Sequence, residues 1–325
     1  MHLPTIEDIR AAAIRIRPLA VRTPLIESAA LNARQSGRVL LKLETLQRVG
    51  AFKFRGAYNK ISQLDKAKYP GGVVACSSGN HAQGAADAAA ICGFTAVIVM
   101  PNDAPAMKVA RTRALGAEIV IYDRETEDRL GIAERIRDER HAAMVPPYDD
   151  FDIIAGQGTA GLEICEQAAA MEARPDQLLV PCGGGGLVSG VATAIHASLP
   201  DAQVLAIEPE GFDDYTRSLV SGRREHNARK GGSICDALLS QEPGVITFAA
   251  CQRQHVSGRA VPETDVRAAV RYAFEELKLV VEPGGAVGLA ALLSGAVPTR
   301  GRTTVVVLSG GNIDPGLFAD IIAGH

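Results

Sequence analysis

Short apolar segments alternate with helical segments along most of this 325-residue chain, and that alternation constrains the fold more than any other feature. The apolar run Val73–Cys76 predicts a strand, a Ser-Ser-Gly-Asn-His turn follows it, and an Ala-rich helix is predicted over 82–92. Two further strands are predicted over 95–100 and Glu118–Tyr122, with a helix over 106–115 between them. Strands that alternate with helices through short connections are typical of parallel sheets that are covered on both faces.

The same pattern resumes in the second half of the chain and predicts two α/β lobes. Further helices are predicted over 5–17, 56–64, 158–171, 187–198, 264–277 and 284–294, and further strands over 39–44, Gln177–Pro181, 204–208 and Thr303–Leu308. The polar, glycine-containing stretch 211–233 predicts an irregular surface segment. We expect residues 72–142 to form a small α/β domain, inserted into a larger domain made of residues 1–71 and 143–325. A ligand would then lie between the lobes, beyond the carboxyl ends of the strands.

Composition and charge exclude several classes of protein. The formal net charge of −3 gives no electrostatic reason to expect binding to nucleic acid or to an anionic membrane. No apolar run reaches the length of a membrane span, and the N-terminal residues lack the apolar core of a signal peptide. The six cysteines form no close C-x-x-C pair, which favours reduced thiols over disulfides or zinc ligands. We therefore expect a cytoplasmic protein.

Lys53 lies between Phe52 and Phe54, inside a segment bounded by small residues. Aromatic neighbours desolvate an ammonium group, and desolvation lowers the pKa of a lysine. A lysine with a lowered pKa can be a nucleophilic amine and a base, as Schiff-base chemistry requires. Taken alone, the segment is also typical of a surface lysine whose ammonium reaches solvent past the two rings.

Four consecutive glycines follow one predicted strand and precede a predicted helix. They are Gly183, Gly184, Gly185 and Gly186. Without Cβ atoms their N–H groups can approach an anion closely, and the helix N-terminus adds partial positive charge. The segment therefore indicates a phosphate site, although a tight turn that packs the helix against the sheet is the alternative. It lacks the Gly-Lys-Ser/Thr ending of a Walker loop and the spacing of a dinucleotide-binding turn.

Three other segments place polar side chains at strand ends or helix starts. These side chains belong to Ser77, Ser78, Asn80, His81, Glu282 and Ser309. The first four join a strand to a helix, where they either hold a carboxylate and a ring oxygen or cap the helix. Ser309 ends the last strand and either hydrogen-bonds a ring nitrogen or completes a turn, and Glu282 is either a helix cap or a site carboxylate.

An acidic cluster follows the predicted strand 204–208. It runs from Glu208 through Phe212 to Asp214, and carboxylates at this density suit Mg²⁺ or Ca²⁺. A solvated acidic loop has the same composition. No H-x-x-x-H or H-E-x-x-H pattern predicts a catalytic zinc site, and no G-x-S-x-G elbow predicts a serine hydrolase.

Taken together, these segments resemble the fold-type II pyridoxal-phosphate enzymes, and most closely their serine/threonine dehydratase and serine racemase group. The resemblance runs from about residue 6 to residue 312, with all motifs in family order. The matching segments are 42–44 with 50–57, 77–81, 155–159, 183–187 and 309–312. The resemblance implies a two-lobed α/β fold of the tryptophan synthase β type, with twisted parallel sheets flanked by helices.

The resemblance also implies roles for individual residues. Lys53 would bind pyridoxal 5′-phosphate as a Schiff base, and Ser78 stands where racemases of the group place their second base. The cofactor would further contact Phe52, Asn80, Gly183, Gly184, Gly185, Gly186, Glu282 and Ser309. The substrate carboxylate would bind Ser77, Ser78 and His81. A divalent cation, Mg²⁺ or Ca²⁺, would bind Glu208, Asp214 and the carbonyl of Phe212.

The chain departs from the family pattern in places. Ala51 replaces the usual serine before the Phe-Lys pair. Ala237 replaces a glycine close to the cofactor, where its methyl group could alter the preference for substrate size. Only residues 313–325 follow Asn312, so we expect no C-terminal regulatory domain and no feedback control through one.

The expected function is that of an ammonia-lyase, which removes water and then ammonia from L-threonine or L-serine to give a 2-oxo acid. Ser309 would be a neutral partner for the pyridine nitrogen, which favours rapid loss of a β leaving group over transamination. The same chemistry on 3-hydroxyaspartate or on a hydroxyectoine-derived diamino acid stays open, as does serine racemisation. A non-catalytic module for a phosphorylated ligand is a further alternative, whereas the glycine spacing disfavours a nucleotide-binding protein. The resemblance also implies a homo-oligomer, a dimer or a tetramer.

Overall fold

The computed structural model describes residues 2–104 and 106–324, which form two sheets flanked by helices. The strands are β1 (Leu25–Glu27), β2 (Arg38–Leu43), β3 (Val73–Cys76), β4 (Ala96–Pro101), β5 (Glu118–Tyr122), β6 (Ala143–Met144), β7 (Gln177–Pro181), β8 (Gln203–Pro209), β9 (Ser257–Val261) and β10 (Thr303–Leu308). The helices are α1 (Ile6–Ile16), α2 (Ala29–Gln35), α3 (Lys53–Ile61), α4 (Asn80–Cys92), α5 (Ala106–Ala114), α6 (Arg129–Arg140), α7 (Phe151–Ala170), α8 (Gly186–His196), α9 (Asp214–Ser221), α10 (Val245–Arg253), α11 (Glu263–Glu275), α12 (Pro283–Leu293) and α13 (Pro315–Ala323).

The larger sheet has six strands in the order β1-β2-β10-β7-β8-β9, and only β1 runs antiparallel to its neighbour. Because β10 lies between β2 and β7, the two ends of the chain build one sheet. The smaller sheet has four parallel strands in the order β5-β4-β3-β6. The predicted α/β class, with parallel sheets flanked by helices, is confirmed.

Strand β10 shows why the larger sheet carries helices on both faces. Its sequence is a continuous apolar run rather than an alternating one, as parallel strands buried on both sides require. Val305 and Val307 pack in the core beneath α7 and α8, while Val306 and Leu308 pack in the core beneath α11 and α12. The strand therefore lies in the middle of the larger lobe, and its carboxyl end reaches the cleft between the lobes.

Three predicted boundaries are wrong, and each has a local cause. Helix α3 begins at Lys53 rather than at residue 56, and helix α7 begins at Phe151 rather than at residue 158. Asp150 caps α7 by accepting from two backbone N–H groups. The glycines within α7 allow close packing against α8, because a Cβ on Gly158 would lie 2.9 Å from the carbonyl of Gly190. Part of the stretch 211–233 is helix α9 rather than irregular chain.

The four-stranded sheet is built from residues 73–144, close to the range expected for a small domain. Strand β6 pairs with β3 although it lies just beyond the predicted boundary at residue 142. The domain boundaries themselves stay a prediction. Among the described residues, no helix is both long enough and apolar enough to cross a membrane.

Candidate active site

A cavity between the lobes is lined by the residues for which the sequence predicted cofactor and substrate contacts. They are Phe52, Lys53, Ser77, Ser78, Asn80, His81, Gly183, Gly184, Gly185, Gly186, Glu282 and Ser309. Strand ends bring them together: the segments after β3, β7 and β10 all open into this cavity. A backbone hydrogen bond of 3.1 Å from Phe52 N–H to the Ser309 carbonyl joins the lysine segment to the end of β10.

Lys53 is the first residue of helix α3 and lines the cavity, and its ammonium forms no ion pair with a carboxylate of residues 2–104 or 106–324. Nζ donates to the backbone carbonyl of Pro147 at 2.7 Å and lies 5.1 Å from the centroid of the Phe52 ring. Burial lowers the pKa of Lys53 to about 8, although the charge of Glu282 acts in the opposite direction. Lys53 is therefore not a freely hydrated surface lysine, and about a tenth of its amine is unprotonated at pH 7, far more than for an ordinary lysine.

The glycine turn lies at the start of helix α8, where it leaves no room for side chains. Gly185 has a φ of +91°, which L-residues rarely adopt, and a Cβ there would lie 2.3 Å from the Tyr215 hydroxyl. A Cβ on Gly184 would lie 2.4 Å from the ring of Tyr148. A glycine-lined turn at a helix N-terminus suits a phosphate group, because free N–H groups and the helix dipole both favour an anion.

Glu282 belongs to the site rather than acting as a helix cap. It precedes α12 but makes no capping hydrogen bond, and Asn80 Nδ2 instead donates to Oε1 at 2.5 Å. Its Oε2 is buried without a partner among the described residues. Burial raises the pKa of Glu282 to about 7, while Lys108 lowers it. Asn312 fixes the other end of Asn80 by donating Nδ2 to its Oδ1 at 2.9 Å.

The Ser77–His81 turn does not cap helix α4 through its side chains. Gly79 occupies the N-cap, and the Ser77 hydroxyl accepts from the Gly79 N–H at 3.2 Å. Among the described residues, Ser78 makes no side-chain hydrogen bond. His81 Nε2 lies 2.8 Å from the Val145 carbonyl, its Nδ1 has no partner there, and burial lowers the pKa of His81 to about 3. The imidazole is therefore neutral at physiological pH.

Sequence reasoning missed two side chains that line the cavity, Tyr148 and Arg129. Tyr148 follows the carbonyl that accepts from Lys53 and packs against the glycine turn. Arg129 is exposed at the start of α6, and its guanidinium has no ion pair or hydrogen bond within residues 2–104 and 106–324. Both residues come from the segments between β5 and α7, which carry no glycine-rich or strand-end motif that could have indicated them.

The predicted cation ligands lie outside the cavity. Glu208 and Asp214 are both fully buried, and Glu208 accepts from the N–H groups of Tyr215 and Thr216 at 2.9 and 2.7 Å. Asp214 Oδ2 is buried without a partner in the described part of the chain. Burial, together with the mutual repulsion of the two carboxylates, raises the pKa of Glu208 well above its ordinary value.

Burial also raises the pKa of Asp214 to about 7. A buried carboxylate pair with an unsatisfied oxygen fits a hard cation, although no cluster of three or more His, Cys, Asp or Glu side chains occurs among the described residues.

Comparison with known proteins agrees with this geometry. Residues 16–310 match the model of the family described as pyridoxal-phosphate dependent enzyme. The chain is 40% identical to L-threo-3-hydroxyaspartate ammonia-lyase of a Pseudomonas species, over 100% of both chains. It is also 40% identical to L-threonine ammonia-lyase of Thermotoga maritima, over 98% of this chain and 78% of that one. Maize serine racemase superposes with a TM-score of 0.92 and 36% identity, over 100% of this chain and 98% of that one.

The lysine, the glycine turn and the neutral strand-end serine, set between two parallel-sheet lobes, define the site of a fold-type II enzyme. This chain belongs to the pyridoxal-phosphate dependent enzyme family. The residues present fit the cofactor: an amine in a desolvated setting lies in the same cavity as a side-chain-free anion cradle, and a buried carboxyl oxygen lacks a partner there.

Proposed function

We propose that this protein is a pyridoxal-phosphate dependent ammonia-lyase that converts a β-hydroxy amino acid, L-threonine or L-serine, into a 2-oxo acid and ammonia. The observation that carries the proposal is the position of Lys53, a desolvated amine in the same cavity as the glycine turn. The 40% identity to a relative named L-threonine ammonia-lyase supports the reaction type. A non-catalytic binding module would not need such an amine.

The cofactor, when bound, withdraws electrons from the amino acid and so makes its Cα–H bond acidic. In this proposal the glycine turn and the start of α8 hold its phosphate, and Phe52 packs against its ring. Asn80 and Glu282 form a hydrogen-bonded pair at the ring edge, and Ser309 offers a neutral hydroxyl to the ring nitrogen. The neutral partner favours rapid expulsion of the β-hydroxyl over reactions that need a long-lived carbanion.

Lys53 is the base in this proposal. Because burial lowers the pKa of Lys53 to about 8, the free amine forms at a smaller cost in free energy than in an ordinary lysine. The free amine then accepts the Cα proton. The β-hydroxyl then leaves as water by taking the proton that Lys53 has accepted, and hydrolysis of the released enamine gives the 2-oxo acid and ammonia. Ser77, Ser78 and the N-terminus of α4 hold the substrate carboxylate. His81 is neutral because its pKa is lowered to about 3, and its Nε2–H donates to the Val145 carbonyl, so its Nδ1 is an acceptor and the imidazole supports the loop rather than donating to the carboxylate.

A second candidate substrate is 3-hydroxyaspartate, and Arg129 is the observation that favours it. Its guanidinium lines the cavity and has no partner among the described residues, so it is available to a second carboxylate. A relative with 40% identity is named L-threo-3-hydroxyaspartate ammonia-lyase. The elimination chemistry is unchanged, and only the group on Cβ differs.

The proposal includes a divalent cation, Mg²⁺ or Ca²⁺, bound by Glu208, Asp214 and the Phe212 carbonyl. The unsatisfied Asp214 oxygen and the raised pKa values of both carboxyls support it, because a cation would remove the repulsion between them. It further includes a homo-oligomer in the cytoplasm. All six cysteines are unpaired, which agrees with a reducing compartment.

The test begins with an absorbance scan of the purified protein and reduction with borohydride, which fixes a Schiff base to Lys53. Ammonia release from L-threonine, L-serine and L-threo-3-hydroxyaspartate then identifies the substrate. We expect a yellow protein that releases ammonia from at least one of the three. A colourless protein that takes up no added cofactor, or a yellow one inert towards all three, would contradict the proposal.

A further inference from the structure

The loop proposed to hold the substrate carboxylate has no formal charge of its own. Ser77, Ser78 and Asn80 are neutral side chains, and His81 is neutral as well because burial lowers its pKa to about 3. The first N–H groups of α4 supply hydrogen bonds but only a partial positive charge. A carboxylate that leaves water for a protein cavity is stabilised by a nearby cation.

Lys108 places a full positive charge directly behind this loop. It extends from α5, its side chain is 4% exposed, and it does not line the cavity. A Cβ built on Gly79 would lie 3.8 Å from Nζ, so the ammonium packs against the backbone in the middle of the loop. Its charge also lowers the pKa of Glu282, on the far side of Asn80, against the effect of burial.

Asp236 holds the ammonium in this position from the opposite lobe. Its carboxylate forms an ion pair with Lys108 and, unlike the lysine, is 36% exposed. Asp236 begins the short 3₁₀ helix Asp236–Leu238, which packs on the glycine turn: a Cβ on Gly183 would lie 3.3 Å from the Cα of Leu238. The pair therefore joins the loop beside the proposed phosphate site to the loop beside the proposed carboxylate site.

We propose that Lys108 is a positioning residue for the substrate carboxylate, acting through the Ser77–His81 loop, and that Asp236 anchors its ammonium across the cleft. The inference rests on the proposed function, because it assigns a role at the same site. It adds a rule of specificity: the cavity binds amines that carry an α-carboxylate and discriminates against amines that lack one.

The experiment compares two ligands that differ only in the carboxylate, L-serine and ethanolamine, by titrating the absorbance of the cofactor-loaded protein. Replacement of one buried charge by a neutral group of similar length, in Lys108→Gln, should weaken L-serine binding about tenfold. Ethanolamine binding should change by less than about twofold, because its amine reaches the cofactor without using the loop. Lys108→Arg should restore most of the L-serine affinity.

Two further variants separate the effect of the Lys108 charge from that of the Lys108–Asp236 ion pair, which joins the two lobes. Asp236→Asn keeps the positive charge of Lys108 but removes its anchor, so it should weaken L-serine binding less than Lys108→Gln does. Arg140→Gln, which breaks an exposed ion pair with Glu118 on the same lobe, should leave both titrations unchanged. Equal losses for L-serine and ethanolamine in Lys108→Gln would overturn the inference, as would equal losses of L-serine binding in Lys108→Gln and Asp236→Asn.

The readout also separates this inference from the proposed function. A protein that shows the expected spectral titrations but releases no ammonia would contradict the ammonia-lyase and leave the carboxylate role supported. If Lys108→Gln does not fold or load the cofactor, Asp236→Asn decides the question alone. A loss of affinity in that variant that is confined to L-serine supports the role of the anchored ammonium, and an unchanged affinity or equal losses for L-serine and ethanolamine overturn it.

Discussion

Two regions of the larger lobe bury charged side chains, and they do so in opposite ways. Beneath helix α3, Lys42, Glu44, Arg55 and Glu163 form a charge network in which each charge faces an opposite one. In the cavity at the start of the same helix, Lys53 faces only a backbone carbonyl. Lys42, Glu44 and Arg55 are fully buried whereas Lys53 is partly buried, and the two regions differ further in the partners that they offer.

In the charge network, Arg55 binds two carboxylates at once. Its guanidinium donates to both oxygens of Glu44 at 2.8 Å and to both oxygens of Glu163 at 2.7 and 2.9 Å. Lys42 completes the set with a contact of 2.6 Å to Glu163. Burial would raise the pKa of Glu44, yet Arg55 holds that pKa below its ordinary value. Paired in this way, the groups stay charged and chemically inert.

Helix α3 connects the two regions, because it carries both Lys53 and Arg55. The charge network anchors the first turn of the helix to Glu44, directly after β2, and to Glu163 on α7. Lys53 therefore projects into the cavity from a fixed backbone while its own amine stays unpaired. The charge network makes the helix rigid. In our proposal Lys53, which has no counter-ion among the described residues, provides the reactive amine.

The largest effect should come from the reactive lysine. Lys53→Ala should lower ammonia release by more than about 10⁴-fold and abolish the visible absorbance of the bound cofactor, since no other amine replaces it. Lys42→Met is the control, because it removes a fully buried lysine that lies in the network and outside the cavity. It should destabilise the protein yet leave the absorbance in place. Normal turnover in Lys53→Ala would end the assignment of the site.

Loss of the shared cation in the network should have the next largest effect, on stability. Arg55→Met leaves the buried Glu44 without its ion-pair partner and leaves Lys42 as the cation beside Glu163, so we expect the free energy of unfolding to fall by about 3–5 kcal/mol in urea denaturation. Arg140→Met, at an ion pair whose side chains are 42% and 51% exposed, should cost less than about 1 kcal/mol. Similar losses in the two variants would mean that the network contributes no more than a surface pair.

The sequence predicted more of the residues in the cavity than of the contacts in the charge network. Lys53, the glycine turn and Ser309 each follow a recognisable local pattern, and strand ends in a parallel sheet meet at one edge. The segment 42–57 already contained Lys42, Glu44 and Arg55, but their partner Glu163 lies 108 residues from Arg55 on α7. Nothing local in the sequence indicates which distant carboxylate pairs with which cation.

The remaining errors arise from contacts that the sequence pattern does not indicate. Helix α9 was missed because the carboxylate that accepts from its first N–H groups belongs to Glu208, at the end of β8. Arg129 was missed because an unpaired surface arginine looks like any other until the fold places it in the cavity. The sequence left Glu282 as either a helix cap or a site carboxylate, and its contact with Asn80 distinguishes the two roles.

The Glu208–Asp214 pair is a third arrangement, in which the two buried carboxylates form no ion pair within the described part of the chain, and it predicts a moderate effect. Mg²⁺ or Ca²⁺ at about 100 times its Kd should stabilise the protein by about 2.7 kcal/mol relative to the protein in EDTA. The shift should be visible as a higher Tm. Asp214→Asn should remove the response to the cation, whereas Asp103→Asn, at an exposed ion pair, should retain it. An unchanged Tm after EDTA treatment would contradict the cation site.

Ser78 tests whether unpaired groups in the cavity are available for chemistry. Its hydroxyl has no partner in the described residues, unlike the groups of the network. Ser78→Ala should lower any racemisation of serine at least about tenfold, because no second base then faces Cα, while most L-serine elimination remains. Chiral chromatography and ammonia assays measure the two rates. An equal loss of both would mean that Ser78 only positions the substrate.

The smallest effect concerns pH and the cofactor-free protein. The pKa of Lys53 falls from 10.5 in the unfolded chain to about 8 in the folded one, so between these values the unfolded state binds more protons. The free energy of unfolding should therefore rise with pH in this window relative to Lys53→Met, by at most about 1.4 kcal/mol per pH unit.

Thiol and tyrosine groups titrate in both proteins and cancel in this difference, while Glu282, with its pKa raised to about 7, titrates below the window. Lys42→Met should show a smaller difference of this kind, because Glu44 and Glu163 oppose the effect of burial on the pKa of Lys42. The free energy of unfolding of wild type and of Lys53→Met could instead change with pH in the same way from pH 8 to 10.5. The amine would then titrate as an ordinary lysine, and the contrast between Lys53 and Lys42 would disappear.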